Sequence, residues 1–161
     1  QVFMLSTYEN GSLEGKSATW YENGEKQLEE NYRNDMLNGP STAYYENGNR
    51  EELQHYVNDT LHGAYKKWYK NGRPMIEGSF VKGKYHGRWL YKDNMGNIVG
   101  VGNYDMGDGV QKAFYPDGSL KAVTTYKNNE KHGREILYDP EGNVVEKLEY
   151  EEGEVVDSSG E

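Results

Sequence analysis

Apolar positions along this chain do not fall at helical spacing. No segment keeps them at i, i+3, i+4 and i+7, so no amphipathic helix is predicted. Large rings instead arrive in short bursts, each after a glycine and before a polar turn, as in Gly63-Ala-Tyr-Lys-Lys-Trp68-Tyr69 ahead of Asn71-Gly72. Short runs of this kind bounded by turn residues read as strands, and Asn-Gly between two of them reads as a hairpin. Two-sided patterning in the second strand of each pair is weak. Leu28, Ile76 and Ala122 fall on one parity, and Leu53, Val101 and Val123 on the other.

The bursts repeat. Glycines stand at Gly15, Gly39, Gly63, Gly87, Gly109 and Gly133, 24 residues apart except for one step of 22 between Gly87 and Gly109. A second series, Gly24, Gly48, Gly72, Gly96, Gly118 and Gly142, carries its own 22-residue step between Gly96 and Gly118. An aromatic series runs Tyr8, Tyr32, Tyr56, Phe80, Tyr104, Tyr126 and Tyr150, which places the two-residue deletion between Tyr104 and Gly109. Three columns in one register define six units, with a partial unit ahead of them and the array spanning residues 1–150. Residues 151–161 form an acidic tail beyond the array, polar and mobile from Gly153 onward.

Each unit is expected to hold two strands and two turns. Asn23-Gly24, Asn47-Gly48, Asn71-Gly72 and Asp117-Gly118 suit a tight type I′ turn, which needs positive φ at both central residues. A looser loop of about six residues, such as Val57–His62, then leads to the next unit. The expected fold class is all-β, an open-ended tandem array of antiparallel hairpins in one layer. Two ring columns would supply cohesion. One holds Trp20, Tyr44, Trp68, Phe114 and Tyr138, with Tyr91 one residue out of step where Lys92–Met95 enlarges the turn; the other is the Tyr32, Tyr56, Phe80, Tyr104, Tyr126 series. Strands about 4.8 Å apart make a two-strand unit advance about 10 Å, so such rings would cover one another with wet hydroxyls.

Composition narrows the function. Only 34% of residues are hydrophobic, yet 15 of the aromatics are Tyr, which fits a ring-covered single sheet better than a deep core. The formal charge of −9 argues against nucleic acid as a partner. Without cysteine there is no disulfide, thiolate nucleophile or Cys-based zinc site. No apolar run reaches the roughly 18 residues of a membrane-spanning helix. A chain beginning at Gln1 suggests that something upstream was removed, which favours an exported or envelope-associated protein.

Phe80-Val-Lys-Gly-Lys-Tyr-His86-Gly87-Arg-Trp and Tyr126-Lys-Asn-Asn-Glu-Lys-His132-Gly133-Arg resemble MORN repeats, and Gly-x-x-x-x-Trp-Tyr-x-Asn-Gly is similar to the bacterial variant of that repeat. The resemblance covers residues 8 to 150. It implies a single-layer antiparallel sheet acting as a non-catalytic scaffold for proteins or lipids; some members carry an antitoxin label. Choline-binding repeats and tyrosine–aspartate shell repeats are similar only over single segments.

Candidate chemistry is thin. His62, His86 and His132 each precede a repeat glycine, but equivalent positions about 10 Å apart cannot share a zinc whose ligands lie about 2.0–2.1 Å from the metal. Paired carboxylates such as Glu29-Glu30 and Glu51-Glu52 read as solvated surface, no groove is offered for acid–base chemistry, and no cofactor is implied. The charge distribution says more. Between Gly63 and Lys92 eight Lys or Arg accompany Glu77 alone, while the remainder holds 10 basic and 26 acidic residues. This basic belt contains Tyr65, Lys66, Lys67, Lys84, Tyr85, Arg88 and Trp89. Tyr65 and Trp89 share a column and are expected on one face as surface rings. Aromatics beside Arg and Lys make a contact site. The expected partner is another protein; the alternative is an envelope-associated module binding anionic lipid or cell-wall glycan.

Overall fold

The computed structural model describes residues 3–160, and every regular element among them is a β-strand. Two compact units meet in sequence between Gly83 and Lys84. The first holds β1 (Met4–Glu9), β2 (Ser12–Trp20), β3 (Lys26–Arg33), β4 (Met36–Leu37), β5 (Gly39–Tyr44), β6 (Arg50–Val57), β7 (Thr60–Leu61), β8 (Gly63–Trp68) and β9 (Pro74–Val81). The second holds β10 (Lys84–Lys92), β11 (Ile98–Asp105), β12 (Asp108–Phe114), β13 (Leu120–Lys127), β14 (Glu130–Tyr138), β15 (Val144–Glu151) and β16 (Glu154–Gly160). Within each unit the strands form an antiparallel meander, β4 and β7 being short starts of the strands that continue as β5 and β8. The acidic segment is not a loose tail: Glu154–Gly160 pairs with β15.

The two turn types are the reverse of those expected. At Tyr21–Glu25 the Gly24 N–H donates to the Tyr21 carbonyl (3.0 Å) and Tyr21 N–H to the Glu25 carbonyl (2.8 Å). Gly24 has φ 89°, whereas Asn23 is absent from the left-handed residues. This is a type I turn closed by a left-handed glycine, with a one-residue bulge where the strands meet at Thr19/Trp20. The Asn23 side chain explains the preference for Asn, since its Oδ1 accepts the Glu25 N–H (2.9 Å). The paired positive φ values belong to the other connection. Asn34 and Asp35 have φ 49° and 65°, Asn58 and Asp59 48° and 60°, Asn128 and Asn129 55° and 75°. What looked like a six-residue loop is therefore a two-residue turn followed by the start of the next strand.

Asp93–Asn97 has the same two backbone bonds as Tyr21–Glu25, so the fourth turn is not enlarged. Lys92 consequently occupies the column of Trp20 and Tyr44, and Tyr91 lies one residue earlier by design of the register. The two-residue deletion also has a structural meaning. In a 24-residue unit β3 pairs Tyr32 with Leu37 but Leu28 with Ala43, a register shift of two residues. Gly39, at φ 115°, turns the chain through that bulge, and Asn31 Nδ2 donates to the Pro40 carbonyl there (2.7 Å). Between β11 and β12 the register runs unbroken from Asp105↔Asp108 to Gly100↔Ala113. The missing residues are those of the bulge.

Side chains alternate between faces along a strand, and burial falls on one of them. In the first unit Ser17 and Ser41 project from its packed face, and in the second Trp89, Tyr104, Ala122, Thr124 and Glu135 project from its own. Successive units are also tied through their turns. The Tyr21 hydroxyl donates to the Tyr44 carbonyl (2.8 Å), Tyr45 to Trp68 (2.7 Å) and Tyr115 to Tyr138 (2.9 Å). These hydroxyls are clamps between repeats. Asp93 and Asp139 replace the tyrosine in the fourth and sixth units and cap their own turns, accepting the Asn97 and Asn143 N–H at 2.9 and 2.7 Å. Hydrogen bonds from Asn97 and Asn143 hold both carboxyls below the usual aspartate range.

Candidate interaction surface

The belt residues divide between units and between faces. In the first unit Tyr65 lies on the packed face opposite Gly78, half-buried, donating its hydroxyl to Glu52 Oε1 (2.6 Å) with its ring edge-on to Phe80 (5.7 Å). Lys67 shares that face, opposite Glu52 on one side and Ile76 on the other. Lys66 points to the open face and is exposed. In the second unit Arg88 is exposed on the open face opposite Asn103, while Lys84 Nζ donates to Asn128 Oδ1 (2.9 Å).

Trp89 and Tyr85 are brought together, but not as surface rings. Their centroids lie 4.7 Å apart edge-to-face, Tyr85 sits 5.2 Å from Tyr104, and Tyr104 meets Tyr126 at 5.5 Å. Tyr91 stacks on Trp89 at 6.5 Å, which is where its register puts it. Trp89 is 3% exposed and Tyr104 5%, so the expectation of a contact ring at position 89 is corrected: it is the centre of the second unit's core. Tyr65 and Trp89 do occupy equivalent positions, each opposite a strand glycine. A Cβ on Gly102 would stand 2.3 Å from the Tyr104 ring, so this glycine serves ring packing, not a turn. Burial, above all, raises the Tyr104 hydroxyl pKa and pushes that of Tyr91 up to about 12.

The face of the second unit then changes character. Glu135, buried, accepts from Thr124 (2.7 Å), Tyr150 (2.9 Å) and Lys131 (2.9 Å to each oxygen), and Lys131 lies 4.6 Å over the Tyr150 ring. Burial opposes ionisation of this carboxyl, but the three donors outweigh it and its pKa falls. Every acceptor here is satisfied, so the network is structural.

Sequence reasoning missed one feature. Glu29-Glu30 and Glu51-Glu52 are not uniformly solvated pairs: alternation turns Glu30 and Glu52 onto the packed face of the first unit. There they line a cavity of about 170 Å³ with Leu28, Ser41, Ala43, Gln54 and Tyr56. The usable signal was the period of two, which places Leu28, Glu30 and Tyr32 on one side. The histidines form no such centre. His62 is exposed, His86 lies 3.4 Å from Asp105, and the described residues hold no group of three or more His, Cys, Asp or Glu able to bind a metal.

Residues 13–34, 37–58, 61–82, 107–128 and 131–152 match the MORN repeat variant family. Each match is one hairpin with its glycine-closed turn. The chain belongs to this family. MORN repeats are repeat modules that commonly bind proteins or membranes. The segment without a match, from Gly83 to Met106, is the one with Asp93 in place of the clamp tyrosine and with Trp89 in the core. No curated protein matches the sequence. No helix among the described residues of this MORN array is long and apolar enough to cross a membrane.

Proposed function

We propose that this MORN array is a non-catalytic scaffold that holds another protein, with exposed belt cations as its contacts: Lys66 in the first unit, Arg88 in the second. The observation that carries this reading is their lack of commitment. Lys16, Lys26, Lys131 and Arg134 are each within ion-pair distance of a glutamate, whereas Lys66, Lys67 and Arg88 have no ion-pair partner among the described residues. Exposed, unpaired cations such as Lys66 and Arg88 meet an acidic surface without first breaking an internal pair, and they steer its approach. A toxin neutralised by an acidic face would be one such partner.

The test is affinity capture from the native host, read by mass spectrometry, with Lys66→Glu/Arg88→Glu as the control. Trp89 has no place in that variant, because it is buried in the second unit and its loss would disturb packing as well as any contact. One discrete protein recovered by the parent and lost by the variant is expected, with far-UV circular dichroism unchanged. Equal recovery by both contradicts the proposal. The same cations could instead meet anionic lipid or glycan. Charge-driven vesicle binding would then fade with added salt, as the Debye length falls from about 10 Å at 0.1 M towards 3 Å at 1 M.

A further inference from the structure

The cavity on the packed face of the first unit has acceptors to spare. Glu30 takes the Tyr32 hydroxyl on one oxygen (2.9 Å) and Glu52 takes the Tyr65 hydroxyl on one oxygen (2.6 Å). Each keeps a second carboxylate oxygen, and neither glutamate has an ion-pair partner among the described residues. Ser41, which lines the same cavity, is 8% exposed, and its side chain makes no hydrogen bond to a described residue. Leu28 and Ala43 give the cavity an apolar floor and Tyr56 an aromatic wall. The space of about 170 Å³ is ample for a small polar head.

Two carboxylates, an open hydroxyl and an apolar floor with a tyrosine call for a cation on an alkyl stem. The stem covers Leu28 and Ala43, and the head meets Glu30, Glu52 and Ser41. A divalent metal fits less well, because no third carboxylate or histidine completes a ligand set. We propose that this cavity receives the basic side chain, arginine or lysine, of a protein segment laid across the packed face. The site lies on the other face from Lys66 and carries the opposite charge; Lys67 stands across from Glu52 on the cavity's own face but forms no ion pair with it. Because its test uses a peptide in place of a captured partner, either proposal can fail alone.

The experiment is an NMR titration of the full chain with acetyl-Gly-Arg-Gly-amide, its lysine analogue, and a citrulline analogue that keeps the shape without the charge. Saturable shifts are expected at the amides of Glu30, Ser41 and Gln54 with the first two peptides and none with the third. Glu30→Gln/Glu52→Gln should weaken binding at least about tenfold. Should that variant misfold, Ser41→Val tests the same cavity without altering charge and should also weaken binding. Shifts absent, equal for citrulline, spread over acidic residues elsewhere, or produced by calcium chloride and not by either cationic peptide would overturn the proposal.

Discussion

The packed face is built of different material in the two units. In the first, the middle row of the face runs through Ser6, Ser17, Glu30, Ser41, Gln54 and Tyr65, and a cavity opens among them. In the second, the equivalent row starts at Trp89 and passes through Gly102, Gln111, Thr124 and Glu135, with Tyr85, Tyr91, Tyr104 and Tyr126 closing over it. Backbone geometry is shared, so the difference is one of side-chain volume. Where a large ring meets a strand glycine, the face closes; where serine meets glutamate or glutamine, it stays receptive. The repeat fixes the scaffold and leaves that row free to vary in side-chain volume.

The largest effect that would break this comparison is at its centre. Trp89→Ala should cost about 3–5 kcal/mol in urea unfolding followed by fluorescence, as for other buried tryptophans. Ser41→Ala in the first unit should stay within about 1 kcal/mol. Similar losses at both sites would mean that the units are packed alike. Next, Gly102→Ala should destabilise by about 1–3 kcal/mol, because its Cβ would meet the Tyr104 ring at 2.3 Å. Smaller still, Tyr45→Phe and Tyr115→Phe should each cost about 1 kcal/mol by deleting one clamp. Here the units should agree, and a tenfold discrepancy in equilibrium constant would show that the clamps are not equivalent.

The subtlest distinction lies in alkaline titration. Tyr91, raised to about 12, and Tyr104 and Tyr126, also raised, owe this first to burial. Tyr32 is likewise raised to about 12, by burial and then by its hydrogen bond to Glu30. A folded pKa above the unfolded value near 10 gives stability that is complete below pH 10 and lost as pH climbs towards 12. Phenolate absorbance at 295 nm should therefore lag behind free tyrosine. Glu30→Gln should advance the Tyr32 component while leaving the Tyr91 component in place. A shift of both, or of neither, would contradict the assigned causes.

Much of this architecture was legible in the residues. The 24-residue period gave the strands, the hairpins and the site of the deletion, because turn glycines and strand rings obey steric rules that leave a periodic trace. The turn types were misread, although the correcting signal was present. Pro116 and Pro140 stand at the second position of two of these turns, where a φ near −65° excludes type I′ and suits type I. Trp89 was read as a surface ring because a repeat column shows the register and says nothing of which rings fold over it. Gly100 and Gly102, alternating within a strand, were the available hint of close ring approach. The cavity escaped notice because adjacent glutamates look alike until the pleat assigns them to faces. The belt read correctly as charge but not as one surface, since Lys66 and Lys67 diverge at successive positions.

The most direct measurement of the difference between the units is native-state hydrogen exchange resolved by residue on the full chain. The closed ring cluster predicts the slowest amides in β11 and β13, around Tyr104 and Thr124, with β3 and β5 around Glu30 and Ser41 exchanging faster. Equal protection in the two regions, or slower exchange around Ser41, would contradict the claim that one unit supplies the core and the other the receptive face.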